Sequence, residues 1–318
     1  MIFFYVALAV LLVLILASLV ITCMLCSVAT KRKSSFSWGN VEPPEPIRTY
    51  QRRIENATWL TETPSERVSV VSRDGLKLSA RYYPRENAKR AFLLVHGYRS
   101  SGEHDFAESA EWIYRNLDAS LLVIDQRSHG QSEGKYICFG VKERYDLLRW
   151  HAFLLKKAEG VPVYWMGVSM GSATVLMGLN ADGTPKGLSG VIADCGYTSA
   201  KEEFRYLLKK DYHLPPFPFL FLSNLYCRVF EKWRLDGAST LDAVKANADV
   251  PILFIHGAAD TFVPYDFSVQ NDRVCKAPHT FFTAKEAVHA LSWYYENDAY
   301  TDALRDHLRL CEEKNVRP

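Results

Sequence analysis

Val163-Tyr164-Trp165-Met166-Gly167-Val168-Ser169-Met170-Gly171-Ser172-Ala173-Thr174-Val175-Leu176-Met177 is the segment that points most directly to a fold. Val163 to Met166 is β-branched, aromatic and apolar, as in a buried strand, and Ser172 to Met177 opens a helix. Between them stands Gly-x-Ser-x-Gly. A serine on so sharp a strand-to-helix turn is lifted above the sheet, and the flanking glycines let backbones pass at close range. The helix start behind it favours negative charge developing on a bound oxygen. The pentapeptide alone is weak, because a glycine-rich turn whose serine only caps a helix also satisfies it. The strand before and the helix after give it weight. Ser169 is the candidate nucleophile.

Outward from this turn, short apolar runs alternate with helical stretches. Strands are expected at Ala91–Val95, Leu121–Asp125, Val191–Asp194, Ile252–His256 and Thr280–Thr283. Helices are expected at Glu103–Asn116, Lys142–Lys157, Ser169–Leu179 and Ala290–Cys311. Asp74-Gly75, between Val68–Val71 and Leu76–Tyr82, reads as a hairpin turn. Near-continuous apolar strands separated by helices predict an α/β fold, a mostly parallel sheet flanked by helices on both faces. No internal repeat is present.

A serine hydroxyl needs a base to accept its proton. Downstream, Pro251 to Gly257 is a buried strand ending in glycine, and Asp260 lies in the loop after it, where open α/β sheets carry their sites. After a further helix and strand comes Val288-His289-Ala290, read as the start of the last helix. Ser169, Asp260 and His289 thus fall in the order nucleophile, acid, base. Asp194, at the end of the preceding strand, is the alternative acid. Its neighbour Cys195 lacks the sharp turn a thiol nucleophile would want. An oxyanion needs two backbone donors, and the amides of Tyr98, after His96-Gly97, and Met170 are the candidates.

With 48% hydrophobic and 23% charged residues in 318, the chain is globular, and its net charge of +2 calls for no nucleic acid. Seven widely spaced cysteines do not make a disulfide framework. Cys23 and Cys26 form a CxxC but lie in an apolar run, where a membrane helix is the plainer reading. The nine histidines include no HExxH or similar pair, so neither metal nor cofactor is expected.

Met1 to Thr30 carries no charge and is long enough to cross a bilayer. A cleaved signal peptide is the rival, but no Lys or Arg precedes the run. Lys31, Arg32, Lys33 and Arg48 follow it, which places a single-pass anchor with the catalytic domain on the cytoplasmic side. Residues 31–66 are expected to be a linker, extended from Ser34 to Pro46 with its Pro43-Pro44-Glu45-Pro46, with an amphipathic helix over Arg48–Glu62. Residues 67–318 form the expected main domain. Residues 199–247 form its short helical cap, which carries the unusual run Leu214-Pro215-Pro216-Phe217-Pro218-Phe219-Leu220-Phe221-Leu222. That run either packs the cap onto the core, walls an acyl site, or touches the bilayer.

Taken together, His96-Gly97-Tyr98, Asp125-Gln126-Arg127-Ser128-His129-Gly130, Gly167-Val168-Ser169-Met170-Gly171, His256-Gly257-Ala258-Ala259-Asp260 and His289 resemble the α/β-hydrolase superfamily. The nearest branch is the serine-aminopeptidase-like hydrolases, including forms with an N-terminal membrane segment. The resemblance covers about Val68 to Leu310. It implies the α/β-hydrolase fold, a Ser-His-Asp triad and an acyl-enzyme, with Asp125 to Gly130 shaping the floor of the site. The expected activity is hydrolysis of an ester or thioester of an apolar, small-molecule or lipid-like acyl group. An aminopeptidase or amidase is the alternative, and a non-catalytic binding protein or partner scaffold is less consistent with three intact triad residues.

Overall fold

A computed structural model describes residues 1–32, 45–183 and 185–316. Among the described residues, eight strands form one sheet: β1 (Glu66–Val71), β2 (Lys77–Tyr83), β3 (Arg90–Val95), β4 (Ala119–Ile124), β5 (Val163–Val168), β6 (Leu188–Asp194), β7 (Ile252–Gly257) and β8 (His279–Ala284). Their order is β1-β2-β4-β3-β5-β6-β7-β8, with β2 antiparallel to β1 and β4 and every other pairing parallel. The expected hairpin and parallel strands are therefore all present.

Along β3 the side chains alternate, Phe92 and Leu94 to one face and Leu93 and Val95 to the other, all fully buried. Both faces are therefore covered, as the unbroken apolar runs require. On one face lie α2 (Ile47–Asn56), α3 (Trp59–Glu62), α5 (Ser109–Asn116), α12 (Ser292–Tyr295) and α13 (Asn297–Val316). On the other lie α6 (Glu143–Lys157), α7 (Met170–Gly178), α10 (Thr240–Ala246) and α11 (Tyr265–Val274). Above the strand ends, α8 (Ala200–Lys210), α9 (Pro216–Tyr226) and a π-helical turn at Cys227–Glu231 make a cap.

Several boundaries differ from expectation. The helix expected over Glu103–Asn116 breaks into α4 (Gly102–Asp105) and α5. Phe106, fully buried, anchors the break, and Ser101 caps α4 by accepting from the His104 amide. The expected last helix breaks into α12 and α13, because Glu296 leaves helical geometry. His289 therefore lies in a turn before α12. The stretch Arg48–Glu62, expected within a linker, packs on the main domain. Ile54 and Leu60 are buried in it, and the Tyr83 hydroxyl donates to the Leu60 carbonyl at 2.6 Å. At the other end of the cap, α10 sends Val244 into the core beneath the sheet. The extended stretch expected at Ser34 to Pro46 lies outside the described residues, except Glu45 and Pro46.

Among the described residues, one helix, α1 (Ile2–Thr30), with a mean hydropathy of 3.1 over its most apolar window, is long and apolar enough to cross a membrane. Its first twenty residues, Ile2 to Ile21, would span about 30 Å, the thickness of a bilayer core. Thr22, Cys26 and Thr30, four residues apart, are buried against the cap. Cys26 meets the Cys227 thiol there, not Cys23, and all seven cysteines are free.

Candidate active site

The turn after β5 forces Ser169 to φ 56°, a backbone region that side chains rarely occupy. Two glycines make it feasible. A Cβ at Gly167 would stand 2.3 Å from the Gly171 carbonyl oxygen, and one at Gly171 would stand 1.9 Å from the Val95 carbonyl oxygen. The helix α7 therefore starts directly against the end of β3, and Ser169 is aimed out of the sheet at the start of that helix.

The three residues separated in sequence meet here. His289 Nδ1 lies 2.7 Å from Asp260 Oδ2, and His289 Nε2 lies 2.9 Å from Ser169 Oγ. Facing a carboxylate, Nδ1 must donate, which leaves Nε2 to accept the serine proton. Asp260 is itself fixed: its Oδ1 accepts from the amides of Phe262 at 2.8 Å and Val263 at 2.9 Å. His256 Nε2, 3.2 Å from Asp260 Oδ2, also donates toward the Val263 carbonyl. Burial would raise the Asp260 carboxyl, but hydrogen bonds from His256 and His289 outweigh it and hold it well below the usual carboxylate range.

Asp194 is placed differently. It is buried, one oxygen accepts from the Tyr300 hydroxyl at 3.1 Å, and the other has no partner among the described residues. Burial pushes it up to about 7. Its backbone carbonyl, in turn, accepts from the Ser169 amide at 2.8 Å. Cys195, Asp260 and His289 offer donor atoms within 4.8 Å of one another. That set suits a metal poorly: Asp260 and both His289 nitrogens are already engaged, and burial keeps the Cys195 thiol protonated.

Gly97 brings its loop against Ser169, since a Cβ there would lie 3.2 Å from the Ser169 Cβ. Among the described residues, neither the Tyr98 nor the Met170 amide has a hydrogen-bond partner. The loop is braced by Asp105, which the sequence did not single out, and by the Asp125–Gly130 stretch. Asp105 accepts from the Gly97 amide at 2.6 Å, and His129 Nε2 accepts from the Arg99 amide at 3.0 Å. Burial drops His129 to about 3, so its ring is neutral and able to accept. The Gln126 amide donates to His96 Nε2 at 3.1 Å. The stretch Asp125–Gly130 thus supports the loop after β3. The only sequence signal for Asp105 was its place early in the expected helix.

Two clefts meet at Ser169. One, of about 550 Å3, mixes polar walls from Ser100, Ser101, His104 and Asp105 with apolar ones from Val168, Phe262 and Ala290. The other, of about 630 Å3, is mainly apolar, with Phe139, Phe204, Leu207 and Leu208 among its walls. Both volumes fall within the roughly 300–1,000 Å3 of small-molecule sites. Inside the apolar cleft lies Glu203, buried with neither oxygen paired among the described residues, and burial pushes its carboxyl well above the usual range.

A parallel sheet with a hydrogen-bonded Ser, His and Asp above its strand ends has the architecture of the α/β-hydrolases, and the chain has that fold. It superposes on the Pyrococcus furiosus esterase Pf2001 with a TM-score of 0.60 and 21% identity, over 79% of this chain and 93% of that one. It is 28% identical over 197 residues to the uncharacterized protein YqkD of Bacillus subtilis (strain 168), covering 62% of this chain and 64% of YqkD. It is also 28% identical over 225 residues to monoglyceride lipase of Homo sapiens, covering 60% of this chain and 72% of the lipase. The chain thus spans just under two thirds of YqkD. No protein-family model matches it. These likenesses do not single out the serine-aminopeptidase-like branch.

Proposed function

We propose that the protein is a serine hydrolase that cleaves an ester or thioester of an apolar acyl group through an acyl-enzyme. The observation that carries this reading is the unbroken chain from Asp260 through His289 to Ser169, with Ser169 at the junction of a mainly apolar cleft and a mixed one. The acyl chain occupies the apolar cleft and the leaving group the mixed one. His289 Nε2 takes the Ser169 proton as Oγ attacks the carbonyl carbon. The oxyanion is held by the Tyr98 and Met170 amides. His289 then gives the proton to the departing alkoxide or thiolate. Water repeats the sequence on the acyl-serine, releasing the carboxylic acid and restoring the Ser169 hydroxyl. Asp260 holds His289 in the required tautomer and orientation.

The helix α1 is read as a single membrane span, with Lys31, Arg32 and Lys33 placing the catalytic domain on the cytoplasmic side. Phe217, Phe221, Leu225, Val229 and Phe230 are exposed on the cap beside α1, which supports contact of this face with lipid.

One observation favours the amidase or aminopeptidase alternative. Glu203 is an unpaired buried carboxyl in the acyl cleft, and a substrate amine would satisfy it. The test uses full-length protein in mild detergent with acyl esters, acyl thioesters and aminoacyl amides, alongside a fluorophosphonate probe. Ester or thioester turnover with labelling lost in Ser169→Ala supports the proposal. Turnover of aminoacyl amides alone, weakened by Glu203→Gln, transfers the site to the alternative. Labelling unchanged in Ser169→Ala overturns both.

A further inference from the structure

The C-terminal end of α1 is tied into the loop beside Ser169. The last carbonyls of a helix lack partners within it. Here the Tyr98 hydroxyl donates to the Ala29 carbonyl at 2.8 Å, and the Ile137 amide donates to the Thr30 carbonyl at 2.6 Å. The Arg99 guanidinium donates to the Val28 carbonyl and, at 3.2 Å, to that of Lys31. A cation here also complements the negative end of the helix dipole. Side chains add to the joint. Thr30 Oγ1 donates to the buried Glu231 carboxylate, and the Ser27 and Tyr226 hydroxyls lie 3.1 Å apart. On the same end of α1, Leu25, Val28 and Ala29 line the apolar cleft that reaches Ser169.

We propose that the last two turns of α1 are a wall of the acyl site and a brace for its oxyanion loop, and that they adapt the enzyme to long-chain acyl esters. The inference rests on the acyl-enzyme reading of Ser169 given above. An acyl chain leading away from Ser169 passes between Leu25 and Val28 on one side and Phe204 and Leu207 on the other. It thereby reaches the place where α1 leaves the domain. The same contacts argue that the helix stays with the mature chain. Its removal would open the cleft along one side and leave the Glu231 carboxylate without its Thr30 donor.

The test measures kcat/KM of the full-length protein in mild detergent on nitrophenyl acetate, hexanoate and laurate. Leu25→Trp and Val28→Trp fill the cleft from α1, and Leu25→Ala enlarges it. Leu12→Trp, on the exposed part of α1, is the control. The laurate-to-acetate ratio is expected to fall about tenfold or more in the Trp variants. It should rise in Leu25→Ala and stay at the wild-type value in Leu12→Trp. Fluorophosphonate labelling of Ser169 reports an intact site, and if a Trp variant loses it, Leu25→Ala decides. An unchanged ratio in labelled Leu25 and Val28 variants overturns the wall. So does an equal fall in Leu12→Trp. A wild-type protein that neither labels nor turns over any ester sinks the serine-hydrolase reading itself, and this inference with it.

Discussion

Replacing Asp194 by asparagine separates the two acid candidates and tests the burial that distinguishes them. In the folded protein the Asp194 carboxyl is raised from an ordinary 3.8 to about 7, chiefly by burial. The folded state therefore holds a proton that the unfolded chain releases once pH exceeds about 4. Stability is greatest below that pH and falls as pH rises toward about 7, because the native state binds more protons across this window. At about 1.4 kcal/mol per pKa unit, the fall amounts to at most about 4 kcal/mol. Asparagine nearly matches the shape of the protonated acid and cannot ionise. The difference in unfolding free energy between Asp194→Asn and wild type should move in the variant's favour by up to that amount from about pH 4 to pH 8. Any change in the Tyr300 hydrogen bond adds only a pH-independent offset. Urea unfolding in one mild detergent, followed by tryptophan fluorescence, measures this. Activity provides the second readout: Asp194→Asn should keep most of the turnover, since its side chain bonds Tyr300 and not His289. A stability difference that does not vary with pH would refute the burial argument. Loss of turnover in Asp194→Asn with retention in Asp260→Asn would move the acid to Asp194.

Asp260→Asn should lower kcat by about 10^3 to 10^4 fold, as a misheld base would, while fluorophosphonate labelling slows without a change of site; near-wild-type turnover argues against the triad. Gly171→Ala puts a methyl against the Val95 carbonyl oxygen and should destabilise the fold by about 3 kcal/mol or more, read by urea midpoint. Wild-type stability would mean the turn is looser than described. Full-length protein should stay in membranes through a carbonate wash, and recovery in the supernatant would refute the span. Phe221→Glu, on the exposed cap face, should reduce turnover of a vesicle-embedded ester several-fold while sparing a soluble short ester. Equal effects on both would point to packing in place of lipid contact.

The regular core was legible because its signals are local. Apolar runs bounded by turn residues marked β3 to β8, and Asp74-Gly75 marked the β1–β2 hairpin. Gly167 to Gly171 carried its own explanation, since only glycine tolerates the approaches at its two ends. Boundaries that depend on tertiary contact were missed. Helical periodicity continues across Phe106 and Glu296, yet Phe106 breaks its helix to fill the core, and Glu296 turns its side chain to the Lys285 amide at 2.6 Å. The apolar residues of Arg48–Glu62 fit a membrane-facing helix as well as a domain-facing one, because an amphipathic stripe does not name its partner.

Spacing and residue type act along the chain, so the strands, the turn at Ser169 and the order of Ser169, Asp260 and His289 could be read before any fold was known. That reading favoured Asp260 without excluding Asp194, for both follow apolar strands and both precede His289. Which carboxyl reaches the imidazole depends on packing, because strand register and the Asp260 turn set that distance at 2.7 Å. The joint between α1 and the loop at Tyr98 was equally invisible. Its donors and acceptors lie 68 to 71 residues apart, and a backbone carbonyl leaves no mark in a sequence.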